Sequence, residues 1–296
     1  MLPLFPETVP LELAHKREIQ SKTAKYKPYS DFNFTSLFAW NTHSDAKVAS
    51  LNDNLIVRFP DYISDEPVTS LLGCNDIDAT LNTLLAHVDV LQMVPEAVVA
   101  AIQSPQNYLI EEDRGNFDYI YELRKIESLE GQDYKKKRNK INGIVAGFGS
   151  RLTSITYDTV DSEVAQLLET GFLEWAKQRN KTDEDINSEL DALRRVLRYH
   201  SQLGVFITVV QLDANICGFS INEVIDNRFA ICHFEKDVSG IDGMATYIAY
   251  EAIRELNRRG CQFVNWEQDL GLPGLRQAKE TWHPDSYLRK YNIRRL

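Results

Sequence analysis

A segment between a predicted strand and a predicted helix, residues 235–245, carries two glycines, Gly240 and Gly243. Glycine lets a backbone approach a ligand closely, and the first N–H groups of a helix point towards an anion placed before them. We therefore expect this segment to bind a phosphate-bearing donor, the alternative being an ordinary strand-to-helix turn. It lacks the P-loop lysine and the third glycine of a dinucleotide fingerprint, which disfavours nucleotide hydrolysis and Rossmann-type NAD binding. The expected donor-binding residues are Lys236, Val238, Ser239, Gly240, Ile241, Asp242, Gly243, Met244 and Ala245.

Two carboxylates, Glu267 and Asp269, follow the last predicted strand of this region. Residues two apart on a strand point to the same face, so we expect both side chains in one cleft. One of them would then serve as a general base or as an anchor for a cationic acceptor. Asp269 is our first choice and Glu235 is the third candidate, whereas a solvated acidic loop is the alternative.

The densest basic run of the chain is residues 135–140, which read Lys-Lys-Lys-Arg-Asn-Lys. A solvated helix face is the usual explanation of such a run. Because Tyr134 and Tyr121 are near it in sequence, it is also the best candidate patch for phosphates or nucleic acid. We expect Arg138 to make a ligand contact and the other cations of the run to be solvated.

Metal and cysteine chemistry find little support in the residue spacing. The four cysteines, Cys74, Cys217, Cys232 and Cys261, show no CxxC pattern and are predicted to be buried thiols. The six histidines form no HxH or HExxH pattern. We therefore expect no metal site.

The elements that must position these residues follow an α+β order. Helical and alternating patterns predict a charged helix that begins near residue 133, three strands joined by short turns, a helix, a last strand, a short helix around Arg276 and a basic tail. The middle elements are predicted at residues 205–212, 216–224, 229–234, about 242–258, and 261–266. We place a domain boundary at residues 149/150, which divides the chain into 1–149 and 150–296.

The length of 296 residues suits two ordinary domains, and 43% hydrophobic residues are enough for sizeable cores. The formal charge of −10 excludes a domain-wide basic field, so any nucleic-acid or lipid contact would need a local patch. The residues near Met1 lack the basic and apolar regions of a secretory signal, and no apolar run approaches the roughly 20 residues of a membrane span. We expect a cytoplasmic protein without a membrane segment.

Several spaced motifs in the chain are similar to those of the phosphatidylglycerol lysyltransferase C-terminal domain family. The mid-chain motifs are residues 113–121, 129–131, Tyr134 and 137–139. The C-terminal motifs are residues 234–236, 269–271, 274–276, 278–279 and 283–284. The resemblance covers nearly the whole chain.

This resemblance implies two GNAT-like (acetyltransferase-fold) domains in tandem, each with a mixed, mostly antiparallel sheet flanked by helices. It also implies transfer of an acyl or aminoacyl group from acyl-CoA or aminoacyl-tRNA to an amine or hydroxyl acceptor in the cleft between the domains. In GNAT folds, the pyrophosphate of coenzyme A sits on backbone N–H groups at the strand-to-helix position noted above. The substrate-binding residues expected on this basis are Tyr121, Arg138, Arg276 and Lys279.

Two questions stay open at the level of sequence. The acidic net charge favours the small donor, whereas the basic run favours aminoacyl-tRNA. The competing function is a catalytically silent GNAT-fold module that binds a metabolite or a partner protein.

Overall fold

The computed structural model describes residues 1–296, except for the side chains at positions 184 and 185. The chain forms two compact units, each assembled from separate stretches. Unit 1 comprises residues 1–119, 267–280 and 286–296, and unit 2 comprises residues 120–266 and 281–285. The domain ranges 1–149 and 150–296 remain a prediction, because compact units record which stretches pack together and not where an ancestral domain begins.

The described residues form strands and helices in a mixed order. The strands are β1 (Val9–Pro10), β2 (Lys47–Leu51), β3 (Asn54–Pro60), β4 (Pro67–Leu72), β5 (Leu91–Pro95), β6 (Tyr108–Glu112), β7 (Asp118–Glu122), β8 (Leu152–Tyr157), β9 (Val205–Leu212), β10 (Asn215–Val224), β11 (Phe229–Asp237), β12 (Phe263–Asn265), β13 (Ser286–Leu288) and β14 (Lys290–Arg295). The helices are α1 (Lys16–Thr23), α2 (Phe34–Trp40), α3 (Ile77–Leu84), α4 (Glu96–Val99), α5 (Leu123–Ser128), α6 (Lys135–Phe148), α7 (Ser162–Gln178), α8 (Asp183–Arg198), α9 (His200–Leu203), α10 (Met244–Arg258) and α11 (Pro273–Glu280).

The sheet of unit 2 is built around an antiparallel meander. Strands β8, β9, β10 and β11 pair in sequence order, and β12 then adds parallel to β11 and antiparallel to β7. Asp213 and Ala214 both have positive φ at the turn between β9 and β10, as tight hairpin turns of this class require. The three predicted strands and the predicted helix that follows them are confirmed.

The predicted donor segment connects β11 to α10, and a small apolar core fixes that connection. Ile144 of α6, Val210 of β9, Cys217 of β10, and Met244 and Ile248 of α10 are all buried together. Full burial of one such apolar side chain contributes about 1.5–3 kcal/mol. The start of α10 is thereby fixed against both the sheet and α6.

Unit 1 contains two antiparallel sheets, with strand orders β1-β2-β3-β4 and β5-β14-β6. The predicted basic tail is wrong: residues 290–295 form β14, which lies between β5 and β6. Lys290 is fully buried there and forms ion pairs with the buried carboxylates of Asp31 and Asp118. Ser30 also donates to Asp118, at 2.6 Å. Charged residues therefore form an interior strand, because the Lys290 charge is paired where it is buried.

Candidate active site

Strands β11 and β12 separate where the candidate site begins. Strand β12 pairs with β11 only at Phe229, Ala230 and Ile231, whereas β11 continues beside β10 as far as Asp237. The last predicted strand, expected at residues 261–266, is also shorter, since it runs only from Phe263 to Asn265. Beyond Ile231, β11 is therefore paired with β10 and no longer with β12.

The segment that follows β11 is held by its own hydrogen bonds. Four of the N–H groups expected to meet the donor already have acceptors. They are Val238 N to Cys217 O (2.8 Å), Ser239 N to Asp237 Oδ1 (3.0 Å), Ile241 N to Ser239 Oγ (3.1 Å) and Met244 N to Ile241 O (3.0 Å). Among the described contacts, the N–H groups of Gly240 and Ala245 have no protein acceptor. Fewer N–H groups of the segment are therefore free to bind an anion than the sequence suggests.

Both glycines are required by backbone geometry. Gly240 has φ 66° and Gly243 has φ 91°, a region that other residues enter only at a cost. A Cβ atom at Gly243 would lie 3.3 Å from Lys140 Cβ and 3.4 Å from Lys140 O. The spacing of these glycines is therefore explained by the turn, whether or not a ligand binds.

The basic run and the glycine segment, about a hundred residues apart in sequence, adjoin one another in unit 2. Lys140 Nζ lies 2.8 Å from Asp242 Oδ1. One turn earlier on α6, Lys137 Nζ lies 4.0 Å from the centre of the Trp282 ring. Burial lowers the pKa of Lys137 to about 8, with Glu235 acting in the opposite direction and Lys140 adding to the decrease. A half-buried amine with this pKa is partly neutral at physiological pH.

Arg138 has a different environment from Lys137. It donates to the carbonyls of Leu129 and Gly131, in the turn before α6. Lys135 and Lys136 are exposed. A ligand contact by Arg138 remains a prediction. The cation of this run that contacts the glycine segment is Lys140, and Lys137 lies one turn earlier on α6, over the Trp282 ring.

Lys236 and Val238 are held by side chains of α7 and α8. Lys236 Nζ lies 2.7 Å from Glu189 Oε1 and 3.8 Å from the centre of the Trp175 ring. Gln178 Nε2 donates to Val238 O at 2.6 Å. These two residues support the segment, and their expected contact with a donor stays untested.

Asp269 lies in unit 1 and is fully buried in a cluster of donors. The donors are Tyr119 OH (2.6 Å), Arg114 Nη1 (3.1 Å), Arg276 Nε and Nη2 (2.9 and 3.0 Å) and Gly271 N (2.8 Å). Burial alone would raise the pKa of Asp269, but the hydrogen bonds from Arg276 and Tyr119 outweigh it and lower the pKa. A carboxylate held ionised in this way is suited to anchoring cations and poorly suited to accepting a proton.

Glu267 also lies in unit 1, but not on a strand, so the expected alternation with Asp269 does not apply. Its φ is 54°, in the left-handed region. Ser36 Oγ donates to Glu267 Oε1 at 3.1 Å, and the Glu267 carbonyl accepts from Tyr119 N at 3.2 Å. Glu235, the third acidic candidate, is exposed on β11 in unit 2 beside the glycine segment.

The remaining expected substrate-binding residues fall into two groups. In unit 1, Arg276 is bound to Asp269, and Lys279 Nζ lies 3.5 Å from the Glu267 carbonyl. In unit 2, the ring of Tyr121 is fully buried, with its centre 4.7 Å from that of Trp266. Tyr121 is therefore a buried packing residue, and its expected contact with a substrate stays a prediction.

Sequence reasoning missed Trp282 and Arg114. Trp282 packs beside Trp266 at 5.7 Å between ring centres and lies under Lys137. The signal was its position next to His283-Pro284, a pair already noted. Arg114, in the mid-chain motif, lies over the Tyr119 and Tyr287 rings and beside Asp269.

Two searches of the described residues gave negative results. No helix there is both long and apolar enough to cross a bilayer. No group of three or more His, Cys, Asp or Glu side chains among them is arranged to hold a metal ion.

Several solved structures resemble this chain over nearly its full length. A conserved protein of unknown function from Bacteroides thetaiotaomicron is 25% identical, with a TM-score of 0.85 and complete coverage of both chains. The C-terminal domain of a protein assigned as a lysylphosphatidylglycerol synthetase from Agrobacterium fabrum is 13% identical, with a TM-score of 0.64 and coverage of 96% of this chain and 92% of that one. L-PGS from Bacillus licheniformis has the same identity and TM-score, with coverage of 94% and 91%.

No curated protein matches the sequence. The profile of the family described as "Phosphatidylglycerol lysyltransferase, C-terminal" matches residues 23–294. The match includes the separated ends of β11 and β12, the glycine segment, α6 and the Asp269 cluster. The chain therefore belongs to the family of phosphatidylglycerol lysyltransferase C-terminal domains.

Proposed function

We propose that this protein is a GNAT-like acyltransferase or aminoacyltransferase whose donor binds to unit 2. Membership of the family supports group transfer of this type. The single observation that carries the proposal is the junction of β11 with α10. There the sheet opens beyond Ile231, the N–H groups of Gly240 and Ala245 are available, and Lys137 and Lys140 lie alongside.

In the proposed reaction, the N–H groups, the opening of the sheet and Glu235 each have one role. Donor phosphates bind the N–H group of Gly240, in the segment before α10, and that of Ala245, in the first turn of α10, a helix of 15 residues whose N-terminal end favours anions. The reactive carbonyl lies in the opening of the sheet, where backbone N–H groups stabilise the oxyanion. Glu235 takes the proton of the attacking amine or hydroxyl, and the thiol or the ribose hydroxyl of the donor leaves.

Two donors fit this description, and both stay within the proposal. Acyl-CoA presents a compact pyrophosphate that matches two N–H groups and two lysines. Aminoacyl-tRNA presents many phosphates, for which the exposed Lys135 and Lys136 offer further contacts. The family is named for transfer of a lysyl group to the hydroxyl-bearing lipid phosphatidylglycerol, and a hydroxyl or an amine is the proposed acceptor class.

A charge introduced at Ala245 tests the donor site without disturbing the fold. Ala245 is exposed in the first turn of α10, so a glutamate there should maintain or raise stability by about 0.3–1 kcal/mol through the helix dipole. The same negative charge should weaken binding of acetyl-CoA or tRNA at least about tenfold. Ala245→Gln is the matched neutral control. Calorimetry for acetyl-CoA and filter binding for tRNA measure the effect.

The result distinguishes acyl-CoA from aminoacyl-tRNA as the donor, and group transfer from the competing binding function. Equal affinity of both Ala245 variants for both ligands would remove the donor site from this junction. A steep loss of affinity with salt identifies tRNA. Each phosphate contact on a single strand adds about 0.7 to the steepness of the plot of log affinity against log salt concentration. Donor binding without transfer to any amine or hydroxyl acceptor would support the catalytically silent binding module instead.

A further inference from the structure

We propose that β8 is a self-association surface, which pairs antiparallel with β8 of a second copy of this chain about a two-fold axis at Ile155. Strand β8 is the last strand of the sheet of unit 2, and among the described strands it pairs only with β9. The unpaired side of such an edge strand presents N–H and C=O groups that another strand can bind. This inference does not depend on the donor site of the proposed function.

The main-chain groups on the free side of β8 belong to Leu152, Ser154 and Thr156. Asp213 N donates to Arg151 O at 3.0 Å, and the antiparallel register continues from there through β8 without interruption. Alternate residues of an antiparallel strand bond to the same neighbour, so the odd-numbered residues of β8 bond to β9 and the even-numbered residues point away from it. Outside the sheet ladders, none of the described hydrogen bonds involves the main chain of Ser154 or Thr156.

The free edge of β8 lacks the features that block strand pairing at other edges of the molecule. In unit 1, the edge strand β5 ends at Pro95, and the edge strand β6 carries Glu111 and Glu112. Residues 152–157 read Leu-Thr-Ser-Ile-Thr-Tyr, with no charge and no proline, and their register with β9 contains no bulge. Charges, prolines and bulges are the usual means by which proteins prevent edge-to-edge pairing. The composition of β8 is therefore that of a strand paired on both sides.

The sequence of β8 is complementary to itself across the proposed axis. Ile155 then lies opposite Ile155 of the second copy, Ser154 lies opposite Thr156, and Thr153 lies opposite Tyr157. These are a pair of β-branched residues, a pair of hydroxyl residues and an aromatic residue beside a β-branched one, all of which are favourable across antiparallel strands. In the same register the outward N–H and C=O groups of Ser154 meet those of Thr156.

The charges that flank β8 also favour an antiparallel second copy. The side chain of Arg151, just before the strand, is 58% exposed, and that of Asp158, just after it, is 68% exposed. Antiparallel pairing brings the Arg151 end of one copy to the Asp158 end of the other, whereas parallel pairing would bring like charges together. An open groove of about 670 Å³, lined by both β8 and α10, keeps that face of the strand accessible.

Cross-linking tests the register of the proposed pair. The variant is Ile155→Cys in a Cys74→Ser background, which removes the exposed cysteine of the chain. Facing residues of a non-hydrogen-bonded antiparallel pair have Cα atoms about 4.5 Å apart, within the range of a disulfide. We expect mild oxidation to link two copies through residue 155. Thr153→Cys, on the same face and exposed, is the matched control and should react at least about tenfold more slowly, because two copies of residue 153 are four residues out of register.

The oligomeric state tests the pairing without a cross-link. Light scattering during size-exclusion chromatography should show the mass of two chains at high concentration and of one chain on dilution. Ser154→Pro removes an outward N–H group, a change that an edge strand tolerates, and should raise the dissociation constant of the dimer at least about tenfold. Ser154→Ala keeps the N–H group and is the matched control. Circular dichroism of both variants checks that the fold is retained.

A pair of opposite charges at residue 155 gives a test that misfolding cannot imitate. Ile155→Lys and Ile155→Glu each place like charges directly opposite one another, so each variant alone should be monomeric. Mixing the two should restore a dimer that contains one chain of each kind, as measured by native mass spectrometry.

Each remaining outcome overturns the inference. A wild-type chain that stays monomeric at the highest concentration reached would leave the edge of β8 to an extended segment of another protein. A dimer that survives Ser154→Pro unchanged and forms no cross-link at residue 155 would use a different surface. Failure of the Lys and Glu variants to associate when mixed, with both folded, would exclude a two-fold axis at Ile155.

Discussion

Two charged centres, Asp269 in unit 1 and Lys137 in unit 2, differ in how completely they are paired. Asp269 is fully buried and accepts hydrogen bonds from two arginines, a tyrosine and a backbone N–H group. Lys137 is half-buried over an aromatic ring and has no ion pair among the described contacts. A charge whose partners are all supplied by the fold stabilises the fold, whereas a charge that lacks a direct partner is available to a ligand. On this reasoning, Asp269 in unit 1 mainly stabilises the fold, whereas Lys137 in unit 2 is available to a ligand.

The largest expected effect is at Lys290, the most completely buried cation. Replacement by methionine leaves Asp31 and Asp118 buried without their cation, and we expect a loss of about 3–5 kcal/mol in the free energy of unfolding. The neighbouring Arg289→Met change, in an exposed pair with Glu112, should have little effect. Urea denaturation followed by circular dichroism measures both.

The pH dependence of the Lys290→Met variant has a defined sign. Burial raises the pKa of Asp31 even with Lys290 present. A carboxyl group with a raised pKa in the folded state stabilises the fold at low pH and loses that contribution as pH rises. The deficit of the variant should therefore be larger at pH 8 than at pH 5. An equal deficit at both values would show that the cluster does not hold its charges as described.

A smaller effect is expected for Asp269→Asn, at about 2 kcal/mol, because Arg114 and Arg276 are partly exposed and can be rehydrated. The pKa of Asp269 is lowered in the folded state, so its contribution is present above about pH 4 and is lost as pH falls below that value. The stability difference between wild type and variant should shrink in acid. Denaturation at pH 3.5 and pH 7 tests this.

Asp269→Asn also tests the comparison between the two centres. If Asp269 only holds Arg114 and Arg276 in place, transfer activity should decrease in proportion to the folded fraction, and the pH profile of the remaining activity should be unchanged. Full stability combined with loss of turnover would instead support Asp269 as the general base. In that case the distinction between paired and available charges would fail for unit 1.

The elements with local signals were predictable from sequence. Strand β9 was predicted at residues 205–212, where it lies, and α10 was predicted to begin near residue 242 and begins at Met244. Alternation, helical spacing and turn residues carry that information over short stretches. The placement of Lys290 was not predictable, because its partners are distant in sequence and a charged strand resembles a solvated tail.

The candidate site was predicted only in part, because some of its features are local in sequence and others are long-range contacts. The glycine segment was identified by its residue types, but its internal hydrogen bonds depend on Asp237 and Ser239 side chains whose orientation no spacing reveals. The approach of α6 to that segment, and of Trp282 to Lys137, are long-range contacts. The motif at residues 137–139 includes both Lys137 and Arg138, and the expectation of a ligand contact fell on Arg138 because the turn that its side chain holds was not visible in the sequence.

The smallest expected effect separates those two neighbours on α6. Arg138→Gln removes hydrogen bonds to the carbonyls of Leu129 and Gly131, so we expect about 1 kcal/mol less stability and unchanged affinity for acetyl-CoA and tRNA. Lys137→Gln should show the reverse, with stability changed by no more than about 0.5 kcal/mol and weaker donor binding. Lys136→Gln, at an exposed position, is the control that should change neither stability nor affinity for acetyl-CoA. Thermal unfolding and calorimetry on the same samples measure both quantities. Weaker donor binding by Arg138→Gln with no loss of stability would restore Arg138 as a ligand contact, since a side chain that only fixes a turn cannot change affinity without changing the fold.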